Sequence, residues 1–133
     1  IAFVAIEEVF AIDKGLALRR ATFGADSVDK RLAAFGTFGE PLQQIINAYA
    51  YGDVWQRDAM PTATKSLVMV GMMAATGRQM ETKVHLTGAI RNGASPAEIQ
   101  DVLLLVALYC GIPAANEAHR LAVEVFKEQG IET

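Results

Sequence analysis

Apolar residues recur at spacings of three and four through most of the chain, and no segment of four or more residues alternates cleanly between apolar and polar. A 3.6-residue period without a 2-residue period predicts helices and excludes a sheet. The expectation is an all-α fold: a compact helical domain of about six helices spanning 1–133, with residues 1–11 read as an N-terminal extension. The chain has 133 residues, enough for a real core but with much surface for its volume. It is nevertheless 52% hydrophobic, with a mean hydropathy of +0.24. Apolar surface in that excess is most readily buried against copies of the same chain, so a homo-oligomer is expected.

Glycine and proline divide the pattern. A first helix over about Ile12 to Thr22 stops near Gly24, and Gly36, Gly39 and Pro41 split the region Val28 to Tyr51 into a short helix and a longer one from about Glu40. After the polar and aromatic connection YGDVWQRDAMP, Thr62 or Thr64 can cap a helix running to about Thr76, and a fourth spans roughly Gln79 to Asn92. Ser95-Pro96-Ala97-Glu98 has the form of a capping box with proline at the first helical position, so a fifth helix runs from there to about Tyr109. Gly111-Ile112-Pro113 opens the last helix, which ends near Gly130. The segments LVMVGMMAA and VLLLVAL are apolar on nearly every side, which places them centrally or at subunit contacts. Met69, Met72, Met73 and Met80 read as gap-filling core residues rather than a ligand surface.

The charge balance removes several functions. A formal charge of -3, with no Lys/Arg run longer than Arg19-Arg20, leaves no electrostatic footprint for nucleic acid. No apolar run has the length of a bilayer crossing, so no membrane partner is expected. The opening IAFVAI lacks a basic start and runs into Glu7 and Glu8, unlike a signal peptide. A single cysteine cannot form an intrachain disulfide and fits a reducing cytoplasm. Two histidines far apart make a zinc site unexpected, and CxxC, HExxH and glycine-rich phosphate-loop patterns are missing.

Arg78, Glu81 and His85 follow one another at spacings of three and four, which bring helical side chains together. A carboxylate one turn from an imidazole can orient the ring and raise its pKa, and a cation one turn back can hold an anion. The plainer reading is an interior histidine paired with Glu81 beside a surface Arg78. Trp55-Gln56-Arg57 sets the lone tryptophan beside a guanidinium, which suits a small flat anion. Equally, Trp55 could anchor its loop to the core. Cys110, next to Tyr109, reads as a buried apolar residue, because nothing nearby would generate a thiolate. His119 has no patterned partner and reads as structural or exposed.

Three blocks, RRATFGADSVDKRLA, YGDVWQR and GRQMETKVHLTGAIRNGASPAEIQDVLLLVALYCGIPAANEAHRLAVEVF, resemble the carboxymuconolactone decarboxylase family from about Gly15 to Gly130. The resemblance implies an all-α fold like that of alkylhydroperoxidase D, assembled as a ring, a hexamer or trimer, with no cofactor. Where the peroxidase branch carries a redox CxxC, this chain has Arg78 and Glu81, which rules out dithiol chemistry. The implied reaction is decarboxylation of 4-carboxymuconolactone to the enol-lactone of 3-oxoadipate in aromatic catabolism. In that reading His85 and Glu81 are catalytic, Arg57, Arg78 and Lys65 bind carboxylates, and Trp55 and Tyr109 form walls. The family's basic run entering the third helix is reduced here to Lys65. That departure favours the alternative of another small carboxylated lactone or enolisable acid. A non-catalytic oligomeric binding protein is the reading from a different class.

Overall fold

A computed structural model describes residues 6–133, and every regular element in it is helical. Six α-helices run α1 (Ile6–Phe23), α2 (Ala25–Ile45), α3 (Thr62–Ala75), α4 (Gln79–Arg91), α5 (Pro96–Cys110) and α6 (Ile112–Glu128). A π-helical turn, Ile46–Tyr51, and a 3-10 turn, Val54–Gln56, lie between α2 and α3. The all-α expectation therefore holds, and no described helix is long and apolar enough to cross a membrane. The chain divides into two compact units, Ile1–Met60 and Pro61–Thr133.

In the N-terminal unit, α1 begins at Ile6 rather than near Ile12. The cause is packing: the Ala11 carbonyl lies against Gly52, which holds that early turn to the π-helical segment. Residues 1–5 lie outside the described residues. The expected break in the second helical region falls at Gly36, whose φ of 57° and ψ of -158° leave the helical range. A Cβ there would meet nothing within 4 Å, so the glycine serves the backbone conformation alone. Helix resumes directly afterwards and carries Pro41 within it, one turn past the break. In the interior, Tyr51 stacks on Trp55 at 5.4 Å and meets Phe23 edge-on at 5.8 Å.

The C-terminal unit is built by α3 to α6. Helix α6 buries Ala115, Ala118, Leu121, Ala122, Val125 and Phe126, a three-and-four pattern that faces the core. Against it pack Val70 and Ala74 of α3, Leu86 and Ala89 of α4, and Ile99, Leu103 and Val106 of α5. Pro61, not a threonine, precedes α3, and no side chain caps that end. At α5 the capping box forms in full: the Glu98 amide donates to Ser95 Oγ at 3.1 Å, and the Ser95 amide donates to Glu98 Oε1 at 2.9 Å. Ser95→Ala is expected to cost about 1 kcal/mol, read as a lower midpoint in urea at unchanged slope.

Two burial expectations fail. Met80 and Met72 are exposed rather than core-filling, because α4 and α3 turn other faces inward. Cys110 is exposed rather than buried, since it ends α5 beyond the last inward-facing residue, Val106. On α5, Leu104, Leu105, Leu108 and Tyr109 also remain exposed, at 53 to 79%.

Candidate functional site

Helix α4 starts after Gly77, whose φ of 71° turns the chain, and Arg78 sits at its N-cap. The Thr82 hydroxyl donates to the Arg78 carbonyl at 2.7 Å, a one-turn bond that steadies this end. Thr82, His85, Leu86 and Ala89 are buried, so positions i, i+3, i+4 and i+7 define the inward face of α4. His85 therefore lies inside, with 7% of its surface exposed and Nδ1 shut off from solvent. Arg78 and Glu81 are exposed.

The three residues that the spacing put together thus straddle the edge of the buried face. Glu81 lies at the exposed side of that edge and His85 at the buried side. At the same end of α4, a cavity of about 180 Å³ is lined by Gln79 and Thr82 together with Pro113, Ala114 and Glu117 of α6. Arg120 donates a hydrogen bond to Glu117 and holds its carboxyl below the usual range. Outside the cavity, Lys83 bridges to Glu128 at 2.8 Å and to Glu124 at 3.5 Å.

The other candidates separate by element. Lys65 is half-buried in the first turn of α3. Tyr109, 79% exposed, lines an apolar groove of about 350 Å³ with Thr64, Val68 and Gly71 of α3 and Leu105 and Cys110 of α5. In the N-terminal unit Trp55 is 8% exposed within its stack on Tyr51, the position of a loop anchor. Arg57 is largely exposed and forms an ion pair with Asp53 at 3.2 Å. His119 donates from Nδ1 to the Ala115 carbonyl at 2.7 Å, a structural bond within α6.

One polar cluster was not anticipated from the sequence. Arg19 on α1 is 4% exposed and donates to Gln43 Oε1 at 3.1 and 3.2 Å and to Asn47 Oδ1 at 2.7 Å. Its guanidinium carbon lies 5.6 Å from the Tyr51 ring centre. Burial lowers the Arg19 pKa, Tyr51 opposes that shift and Arg31 adds to it; burial likewise raises Tyr51, against both cations. The sequence signal for it is the pair of amides Gln43 and Asn47, four apart on a segment otherwise rich in apolar residues.

The model of the carboxymuconolactone decarboxylase family matches residues 40–124. Among curated relatives, the chain is similar to 4-carboxymuconolactone decarboxylase of Acinetobacter baylyi, 36% identical over 118 residues that cover 89% of this chain and 88% of that one. It is also similar to nitrosuccinic acid decarboxylase of Metarhizium robertsii, 34% identical over 106 residues, or 80% of this chain and 74% of the relative. Both relatives are decarboxylases, which supports a carboxy-lyase. The all-helical architecture and these two matches agree, and the chain belongs to the carboxymuconolactone decarboxylase family.

Proposed function

We propose that the protein decarboxylates 4-carboxymuconolactone to the enol-lactone of 3-oxoadipate, with His85 as proton donor. The observation that carries this reading is a buried imidazole on the inward face of α4, in a chain whose relative over 89% of its length bears that activity in its name. The substrate is an unsaturated five-membered lactone with a carboxylate and an acetate arm on one saturated ring carbon. Breaking the bond to the carboxylate releases carbon dioxide and leaves the electron pair on the ring. That pair passes through the ring double bond into the lactone carbonyl, so the substrate is its own electron sink.

Two tasks remain for the protein: to stabilise the developing oxyanion and to deliver a proton to the ring carbon beside the carbonyl. Because Nδ1 of His85 is shut off from solvent, the proton is assigned to Nε2. Glu81, one turn away, would orient the ring once substrate is bound, since catalytic hydrogen bonds tighten in the complex. Arg78 and Lys65 are proposed to hold carboxylates, and Tyr109 to form a wall. Arg57 and Trp55 enter in the same roles, carboxylate holder and wall, through the family resemblance alone.

Incubating the purified protein with the lactone and following carbon dioxide release tests this reading. Turnover is expected, and none with the lactone would end it. A second reading replaces the lactone with another enolisable or similarly activated acid. It is favoured by the reduction of the basic run to Lys65 and by the 34% identical nitrosuccinic acid decarboxylase. A nitro group on the carbon that loses carbon dioxide would accept the electron pair much as the lactone carbonyl does.

We further propose a homo-oligomer, a hexamer or trimer, in a cytoplasmic setting. The supporting feature is the exposed apolar face of α5, Leu104, Leu105, Leu108 and Tyr109. Light scattering after size exclusion should give a multiple of the 14.3 kDa chain mass, and a monomer at micromolar concentration would refute the proposal.

A further inference from the structure

Arg19 is the starting point, because a guanidinium stays charged and a buried charge normally has a counter-charge. Among the described residues no carboxylate lies within ion-pair distance of it; both hydrogen-bonding partners, Gln43 and Asn47, are neutral amides. A guanidinium only donates, so each amide must turn its oxygen toward Arg19 and its NH2 group away. Gln43 and Asn47 are 6% and 5% exposed, and among the described residues neither NH2 group makes a hydrogen bond.

Those amides border a cavity of about 400 Å³ within the N-terminal unit, lined by Leu32, Gly36, Thr37, Glu40, Gln43, Gln44 and Asn47. Gln43 and Asn47 are one helical turn apart, where α2 passes into the π-helical turn. Such turns occur often at functional sites. Around the cavity the charges are Arg19 behind the amides, Arg31 close enough to act on Arg19 and Tyr51, and one opposing carboxylate, Glu40, which is exposed and accepts a hydrogen bond from Gln44 at 3.2 Å. Two of these charges are positive and one is negative.

We propose that this cavity binds a small carboxylate, which accepts hydrogen bonds from the NH2 groups of Gln43 and Asn47, while Arg19 acts as a positioning residue that fixes both amides and supplies the uncompensated positive charge. The inference does not depend on the decarboxylation reading.

Succinate is the probe, and the fluorescence of Trp55, the lone tryptophan, is the readout, because it stacks on Tyr51 next to Arg19. Wild-type protein should show a saturable change with succinate. Gln43→Glu removes one donor and puts a carboxylate against the guanidinium, so the fold should survive with an unchanged or higher melting temperature. Its succinate affinity should fall about tenfold or more, as expected when a hydrogen bond to a charged group is lost and a like charge is added. If that variant does not fold, Arg19→Met replaces it, with the same loss of affinity expected. No saturation in the wild type up to about 100 mM, far weaker than millimolar binding, overturns the proposal. So does succinate binding of wild-type strength in the folded variant, which would place the ligand elsewhere.

Discussion

Replacing His85 by glutamine is expected to lower turnover of the lactone by about a hundredfold to ten-thousandfold, the usual worth of a positioned acid or base. Glutamine keeps a polar side chain of similar reach on the inward face of α4, where His85 is 7% exposed, so the fold should be retained. The loss should fall on kcat rather than on KM, because a proton donor acts in the transition state and contributes little to binding. Glu81→Gln separates orientation from mere proximity. Glu81 is exposed, one helical turn from the buried His85. A role in the substrate complex should therefore appear as a kcat loss of about tenfold with unchanged stability. Wild-type turnover in folded His85→Gln protein, measured by carbon dioxide release, would sink the assignment of the proton to this ring. Equal turnover in the wild type and Glu81→Gln would leave His85 acting without its neighbour.

Local rules made much of the fold readable. The end of α3 and the limits of α4, α5 and α6 follow from Gly77, the capping box at Ser95 and the Gly111 to Pro113 joint, all of which act within one turn of where they stand. The N-terminal unit was harder. The early start of α1 and the π-helical turn depend on contact between segments roughly thirty to forty residues apart, Ala11 with Gly52 and Gly15 with Asn47, which no periodicity encodes. The site divides in the same way. Spacing put Arg78, Glu81 and His85 on one stripe, but the position of the core decides which of them is buried, and only His85 is. Arg19 and Arg20 are adjacent and alike in the sequence, yet Arg19 is buried while Arg20 is bonded to Asp29 in solvent. Helical neighbours a hundred degrees apart face different surroundings, and charge in a sequence does not say which of two arginines turns inward.

Gly15→Ala should strongly destabilise the N-terminal unit, although alanine is the better helix former by about 1 kcal/mol. A Cβ at this position would overlap the Asn47 carbonyl oxygen, with the Asn47 carbonyl carbon at 2.6 Å and the Gly52 nitrogen at 2.8 Å. All three atoms are backbone, so no rotamer change relieves the clash. α1 and the π-helical turn would have to separate. Overpacking costs about 1–3 kcal/mol where side chains can yield and more where they cannot. The clash therefore outweighs the helix-propensity gain, leaving a net loss of about 2 kcal/mol or more. The same substitution at Gly71 on α3 is the matched control, since a Cβ there would lie 3.4 Å from Val102 Cγ1, an ordinary contact. Gly71→Ala should be neutral or stabilising. Urea unfolding followed by Trp55 fluorescence, which reports the N-terminal unit, should show an earlier midpoint for Gly15→Ala alone. Asn47 supplies both the carbonyl that excludes a Cβ and the side chain that holds Arg19. Gly15→Ala should therefore also weaken succinate binding under conditions where the protein is still folded. Coincident midpoints for Gly15→Ala and wild type would mean that the two segments do not meet backbone to backbone.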